Sequence, residues 1–80
     1  MDEIKIIEEF LIKNGFAKKG EKHFQNDYCE VIVLHRSPKD MPYYRVDTKE
    51  GSIYSSDLNI YWLVGLLTWN NYIPKNYYNI

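Results

Sequence analysis

Cys29 lies between the chain's two histidines, His23 and His35, and nucleophilic or metal chemistry would have to begin with these three residues. A Cys–His nucleophile needs ring and thiol within hydrogen-bond reach, and a structural zinc needs four converging ligands. Cys29 and His35 belong to one strand-like run. There they share a face but stand about 20 Å apart along it. His23 approaches Cys29 only if the chain folds back as a hairpin between them, and one imidazole with one thiol is too small a ligand set for zinc. The chain has no carboxylate pair, phosphate-cradling glycine loop or nucleophile elbow, and Gly51-Ser52 sits in a turn pattern that matches none of these. The expectation is therefore a non-enzymatic protein with no cofactor and no metal site.

A second group of residues suits binding better than catalysis. Tyr43, Tyr44, Arg45, Lys49 and Tyr54 fall on one predicted hairpin, with Lys18, Lys19 and Lys22 earlier in the chain. Aromatic rings on a sheet, flanked by cations, stack and neutralise single-stranded nucleic acid. Glu21, Asp47 and Glu50 dilute that positive field, so nucleic-acid binding through this hairpin is the alternative reading.

The preferred reading rests on a third segment. From Leu58 to Pro74 the chain has no charged residue. It is shorter than the about 20 apolar residues that span a bilayer, and Asn59, Thr68, Asn70 and Asn71 interrupt its ends, so no membrane is expected as a partner. As a helix, it places Ile60, Leu63, Val64 and Leu67 on one stripe suited to packing on a sheet. Tyr61, Trp62, Leu66 and Trp69 spread apolar area round to another side, where Gly65 leaves a gap. Two tryptophans with neighbouring leucines are more apolar surface than one small sheet and one other helix readily cover. Tyr61, Trp62, Leu66 and Trp69, together with the Tyr43-Tyr44 pair, are the candidate protein-interface residues. The competing possibility is that the first helix and the tyrosine-rich tail, residues 72–80, cover this side instead.

The elements that must position these residues follow from periodicity. Ile4, Ile7 and Leu11 recur at helical spacing, and Asn14-Gly15-Phe16 reads as a stop with Gly15 left-handed and Phe16 folding back. The first helix is placed at about residues 2–14. The period then changes. Phe24 centres a short strand, and residues 28–35 are β-branched, with Cys29, Val31 and Val33 suited to an inner face. Residues 36–42 form a loop fenced by two prolines. Residues 43–48 and 52–55 form a hairpin about Lys49-Glu50-Gly51. The Ser55-Ser56-Asp57 cluster offers N-caps to the second helix, and Pro74 bars its continuation. One α+β domain over residues 1–80 is expected. Its order is α-β-β-β-α, with room for a fourth short strand, and its sheet is an antiparallel meander.

Eighty residues hide only about 60–65% of the unfolded surface, so such a domain needs a disulfide, a metal, a partner or an aromatic core. With one cysteine there is no internal disulfide, while aromatics make up 16% of the chain. Ten basic residues nearly cancel eleven acidic ones, leaving a formal charge of −1 and no global pull towards nucleic acid. The acidic start Met1-Asp2-Glu3 is unlike a secretory or transit leader, and a lone thiol fits a reducing compartment, so a cytoplasmic protein is expected. Abundant Ile, Lys, Asn and Tyr suggest an AT-rich genome. The expected role is a small module that covers a site on another protein or pairs with itself as a homodimer. An inhibitor of a bacterial host or defence protein, carried by a phage or mobile element, fits that description.

Overall fold

A computed structural model describes residues 3–35 and 41–73 of the chain. The order is α1 (Glu3–Lys13), β1 (Ala17–Gly20), β2 (His23–Gln25), β3 (Cys29–Leu34), β4 (Tyr43–Thr48), β5 (Gly51–Tyr54) and α2 (Ile60–Trp69). The strands form one five-stranded antiparallel sheet in sequence order, with every neighbour in the sheet also a neighbour in the chain.

Helix α1 buries Ile7, Phe10 and Leu11, a 3–4 spacing that keeps one stripe towards the core. Its end is a full Schellman motif. Gly15 takes φ 92°, its N–H donates to the Ile12 carbonyl at 3.2 Å, and the Phe16 N–H donates to the Leu11 carbonyl at 2.9 Å. Phe16 is thereby folded into the core beside Leu11.

The chain forms one strand more than its alternation suggests. Ala17-Lys18-Lys19-Gly20 has no apolar alternation and is exposed at every position, yet it pairs as β1 with β2, with a register shift between Lys18 and Gly20. Pairing with β2, together with the Lys18–Glu8 ion pair at 2.6 Å, holds it in place of burial. At the β2–β3 turn the Asn26 side chain accepts from Tyr28 N at 2.8 Å and Cys29 N at 2.9 Å. At the β4–β5 turn Gly51 takes φ 137°, and the Thr48 hydroxyl accepts from Glu50 N and donates to the Gly51 carbonyl, both at 3.1 Å.

Strand β3 alternates as expected, with Cys29, Val31 and Val33 inward. The register carries Phe24, Val31, Val46 and Ile53 across the sheet as one row on that inner face. Both helices bury their apolar residues in the same cluster as this face, so both lie on one side of the sheet. The opposite face presents His23, Glu30, Ile32, Leu34, Tyr43, Arg45, Asp47 and Tyr54. No described helix covers it.

The second helix starts later than the Ser55-Ser56-Asp57 cluster suggests. Ser55 is buried at the sheet end, where its hydroxyl accepts from Tyr44 N at 2.7 Å and donates to the Asp57 carbonyl at 2.6 Å. The Asp57 carboxylate accepts from Asn59 N at 3.0 Å. The N-cap is therefore Asn59, whose side chain accepts from Tyr61 N at 2.9 Å and Trp62 N at 3.4 Å. At the other end Asn71 adopts φ 60° in a second Schellman motif, with Asn71 N on the Thr68 carbonyl and Tyr72 N on the Leu67 carbonyl. That cap is tied to the β2–β3 turn by Asn26 Nδ2 donating to the Tyr72 carbonyl at 2.9 Å and by Tyr28 stacking on Tyr72 at 6.2 Å. Any cover from residues 74–80 lies outside the described residues.

Candidate functional site

The candidate catalytic residues do not converge. Register places His23 opposite Ile32 on the uncovered face, while Cys29 points into the core. His23 Nε2 instead meets Glu30 Oε1 at 3.0 Å. His35 lies exposed beyond the end of β3. Burial, reinforced by the neighbouring Glu30 charge, pushes the Cys29 thiol up to about 12, so it stays protonated and weakly nucleophilic at neutral pH. Among the described residues, no three His, Cys, Asp or Glu side chains gather as a metal site.

The hairpin residues are split by strand parity. Tyr44 is fully buried, its hydroxyl donating to the Leu58 carbonyl at 3.0 Å and its ring stacked on Trp62 at 5.8 Å and 6°. It offers no surface to a partner, which corrects its place in both candidate sets. Successive strand residues face opposite ways, so Tyr43, Arg45 and Tyr54 do share the uncovered face, with the two tyrosine rings 6.3 Å apart. Arg45 is not a bare cation there. Its Nε lies 3.1 Å and 3.2 Å from the two carboxylate oxygens of Asp47, and Ser52 donates to the same carboxylate at 2.6 Å. Glu30, directly opposite Asp47, adds another negative charge. Lys49 is exposed at the hairpin tip, beyond this cluster.

The two tryptophans also separate. Leu63, Val64 and Leu67 are buried as expected, with Ile60 packed at their margin. Trp62 and Leu66 pack partly against the core. Tyr61 remains 74% exposed and Trp69 86% exposed. Residues 61, 65 and 69 follow one helical stripe, and nothing lies within 4 Å of a Cβ built at Gly65. The outer face of α2 thus presents a ring, a bare stretch of backbone and a second ring, with backbone positions about 12 Å apart along the axis. Half-buried Trp62 and Leu66 form its flank.

At the Tyr61 end the stripe runs into an open cleft of about 320 Å³ lined by Glu3, Ile6, Ile7, Leu58, Asn59, Ile60 and Tyr61. This cleft has no local sequence signature, because its walls come from two segments some fifty residues apart in the chain. The Leu58–Ile73 stretch carries no charge, and Glu3, Asn59 and Tyr61 supply the polar groups among the residues lining the cleft. Stripe and cleft together present two exposed rings and a mostly apolar lining.

Fold and surface together define a small α+β domain with a helix, a five-stranded meander and a helix. Compared with protein-family models, curated proteins and solved structures, the chain gives no significant match.

Proposed function

We propose that this chain is a small non-enzymatic protein-binding module whose contact surface is the outer stripe of α2 with its adjoining cleft. The observation that carries this reading is the 86% exposure of Trp69 on a helix without charge. An indole exposed to this extent alongside Tyr61 is costly in water and favourable in an interface, where Trp and Tyr are the usual anchors. The cleft beside Tyr61 accepts an apolar side chain from the partner, while the gap at Gly65 admits close approach of backbone. Small size and near-neutral charge support a role in covering a site on another protein. A phage or mobile-element inhibitor of a bacterial host or defence protein is the form of that role the composition fits.

The test is capture with matched variants. The wild-type chain should retain a protein that a Tyr61→Ala/Trp69→Ala variant loses and an Ile32→Ala/Tyr54→Ala variant keeps. Binding should also shield Trp69 from iodide quenching. Equal capture by all three chains would reject the α2 surface.

The convergence of Tyr43, Arg45 and Tyr54 on the uncovered sheet face favours a second reading, single-stranded nucleic-acid binding. The Asp47 carboxylate on Arg45 weakens it, because a phosphate would have to displace that partner. Retention of an oligonucleotide that falls steeply with salt and is lost in Tyr54→Ala would establish this mode.

A further inference from the structure

The two edges of the sheet are not alike. At one edge, β1 carries Lys18 and Lys19 and a register shift, features that discourage pairing with another strand. At the other, β5 runs Gly51-Ser52-Ile53-Tyr54 with no charge and no proline, and every residue is exposed. Its backbone polarity can be assigned. Ser55 N donates to the Tyr44 carbonyl at 3.0 Å, so the backbone of Ser55, Ile53 and Gly51 turns towards β4. Alternation in an antiparallel ladder then turns the N–H and C=O groups of Ser52 and Tyr54 outward, where no described residue meets them.

We propose that β5 pairs antiparallel with β5 of a second copy of this chain, about a two-fold axis at Ile53. The outward groups are complementary to themselves under that operation. Ser52 exchanges two backbone hydrogen bonds with Tyr54 of the second copy, and Tyr54 exchanges two with its Ser52. Ile53, 37% exposed on the helix side, meets Ile53 of the second copy in a non-hydrogen-bonded pair, where Cα atoms approach to about 4.5 Å. A head-to-tail array would instead bring β5 onto the lysine-bearing β1 edge, so the closed dimer is the favoured assembly. Its product is one ten-stranded sheet with both helix pairs on one side, and it leaves the outer stripe of α2 free for a different partner.

The test is sedimentation or light scattering across concentration, together with engineered thiols. Wild-type chain should show a monomer–dimer equilibrium. Ile53→Lys, folded by circular dichroism, should raise the dimer dissociation constant by about tenfold or more, because two lysines then face each other. Under mild oxidation Ile53→Cys should form a covalent dimer. Ser52→Cys should not, because its symmetry mate lies beyond the about 7 Å Cα limit of a disulfide. Buried Cys29 does not compete in either reaction. A chain that stays monomeric at every attainable concentration and gives no Ile53→Cys crosslink overturns the proposal. So does a dimer that survives Ile53→Lys, or one that dissociates only in Tyr61→Ala/Trp69→Ala. Loss of partner capture in that α2 variant, with Ile53→Cys still crosslinking, leaves the β5 dimer standing.

Discussion

Trp62 and Trp69 are seven residues apart on one helix, a separation of nearly two turns, yet they have different surroundings. The Trp62 ring lies flat against the buried Tyr44 ring, while Trp69 projects into solvent. Truncating Trp62 removes packing from the core margin, so Trp62→Ala should cost about 2–3 kcal/mol in urea unfolding. Trp69→Ala should stay within about 0.5 kcal/mol of wild type, the usual range for surface positions. If the two variants lost stability equally, Trp69 would have a packing role and the exposed stripe would lose its anchor. Cys29 allows a sharper test, of its own reactivity. A thiol raised to about 12 in a sealed core should react with iodoacetamide at pH 8 only as fast as the chain unfolds. Rapid labelling of folded protein would show an accessible thiolate.

Among the elements, α1 was fully legible. Its apolar spacing, its Gly15 stop and the fold-back of Phe16 are all local, and local signals survive folding. The β3 inner face was legible for the same reason, since Val31 and Val33 are committed by alternation. β1 was not, because Ala17-Lys18-Lys19-Gly20 has no pattern of its own and becomes a strand only by pairing with β2. In the Tyr43-Tyr44 pair the signal is alternation. Two neighbours in one strand cannot share a face, so assigning Val46 to the core assigns Tyr44 there as well. The start of α2 was misplaced because Ser55, Ser56 and Asp57 all carry capping groups, and the cap is Asn59 beyond them. Which one caps is decided by the sheet, which occupies Ser55, and by Asp57 bonding to Asn59. Asn59→Ala should therefore cost about 1 kcal/mol, while Ser56→Ala should change little. Equal losses at both positions would place the cap wrongly. The exposed Trp69 was only half legible. The sequence shows excess apolar area on α2, but which ring stays outside depends on packing between segments distant in the chain.

At the scale of the whole molecule, both helices and one sheet face share a single core, so any group that ionises inside it acts on global stability. Among the described residues, two such groups lie there. Cys29 is raised from 9.0 to about 12 by burial and then by Glu30. Tyr44 is also raised, by burial first and then by the charges of Glu3 and Asp57. In both, the neutral form is the one the fold accepts. The unfolded chain releases its thiol proton near pH 9 and its phenol proton near pH 10, while the native chain keeps both. Between those values and the raised ones the native state binds more protons, so stability is fully present below about pH 9 and declines as pH rises. The urea midpoint should be level from pH 7 to pH 8.5 and fall steadily above pH 9. Cys29→Ala should remove the earlier part of that fall. Tyr44→Phe should remove the later part, and it should also lower stability at pH 7 by about 1–2 kcal/mol by leaving the Leu58 carbonyl without its donor. A midpoint unchanged through pH 10.5, or a fall that neither substitution alters, would mean that these two groups are not the ones the core holds neutral. The alkaline loss would then have to come from charges on the surface, where salt would screen it.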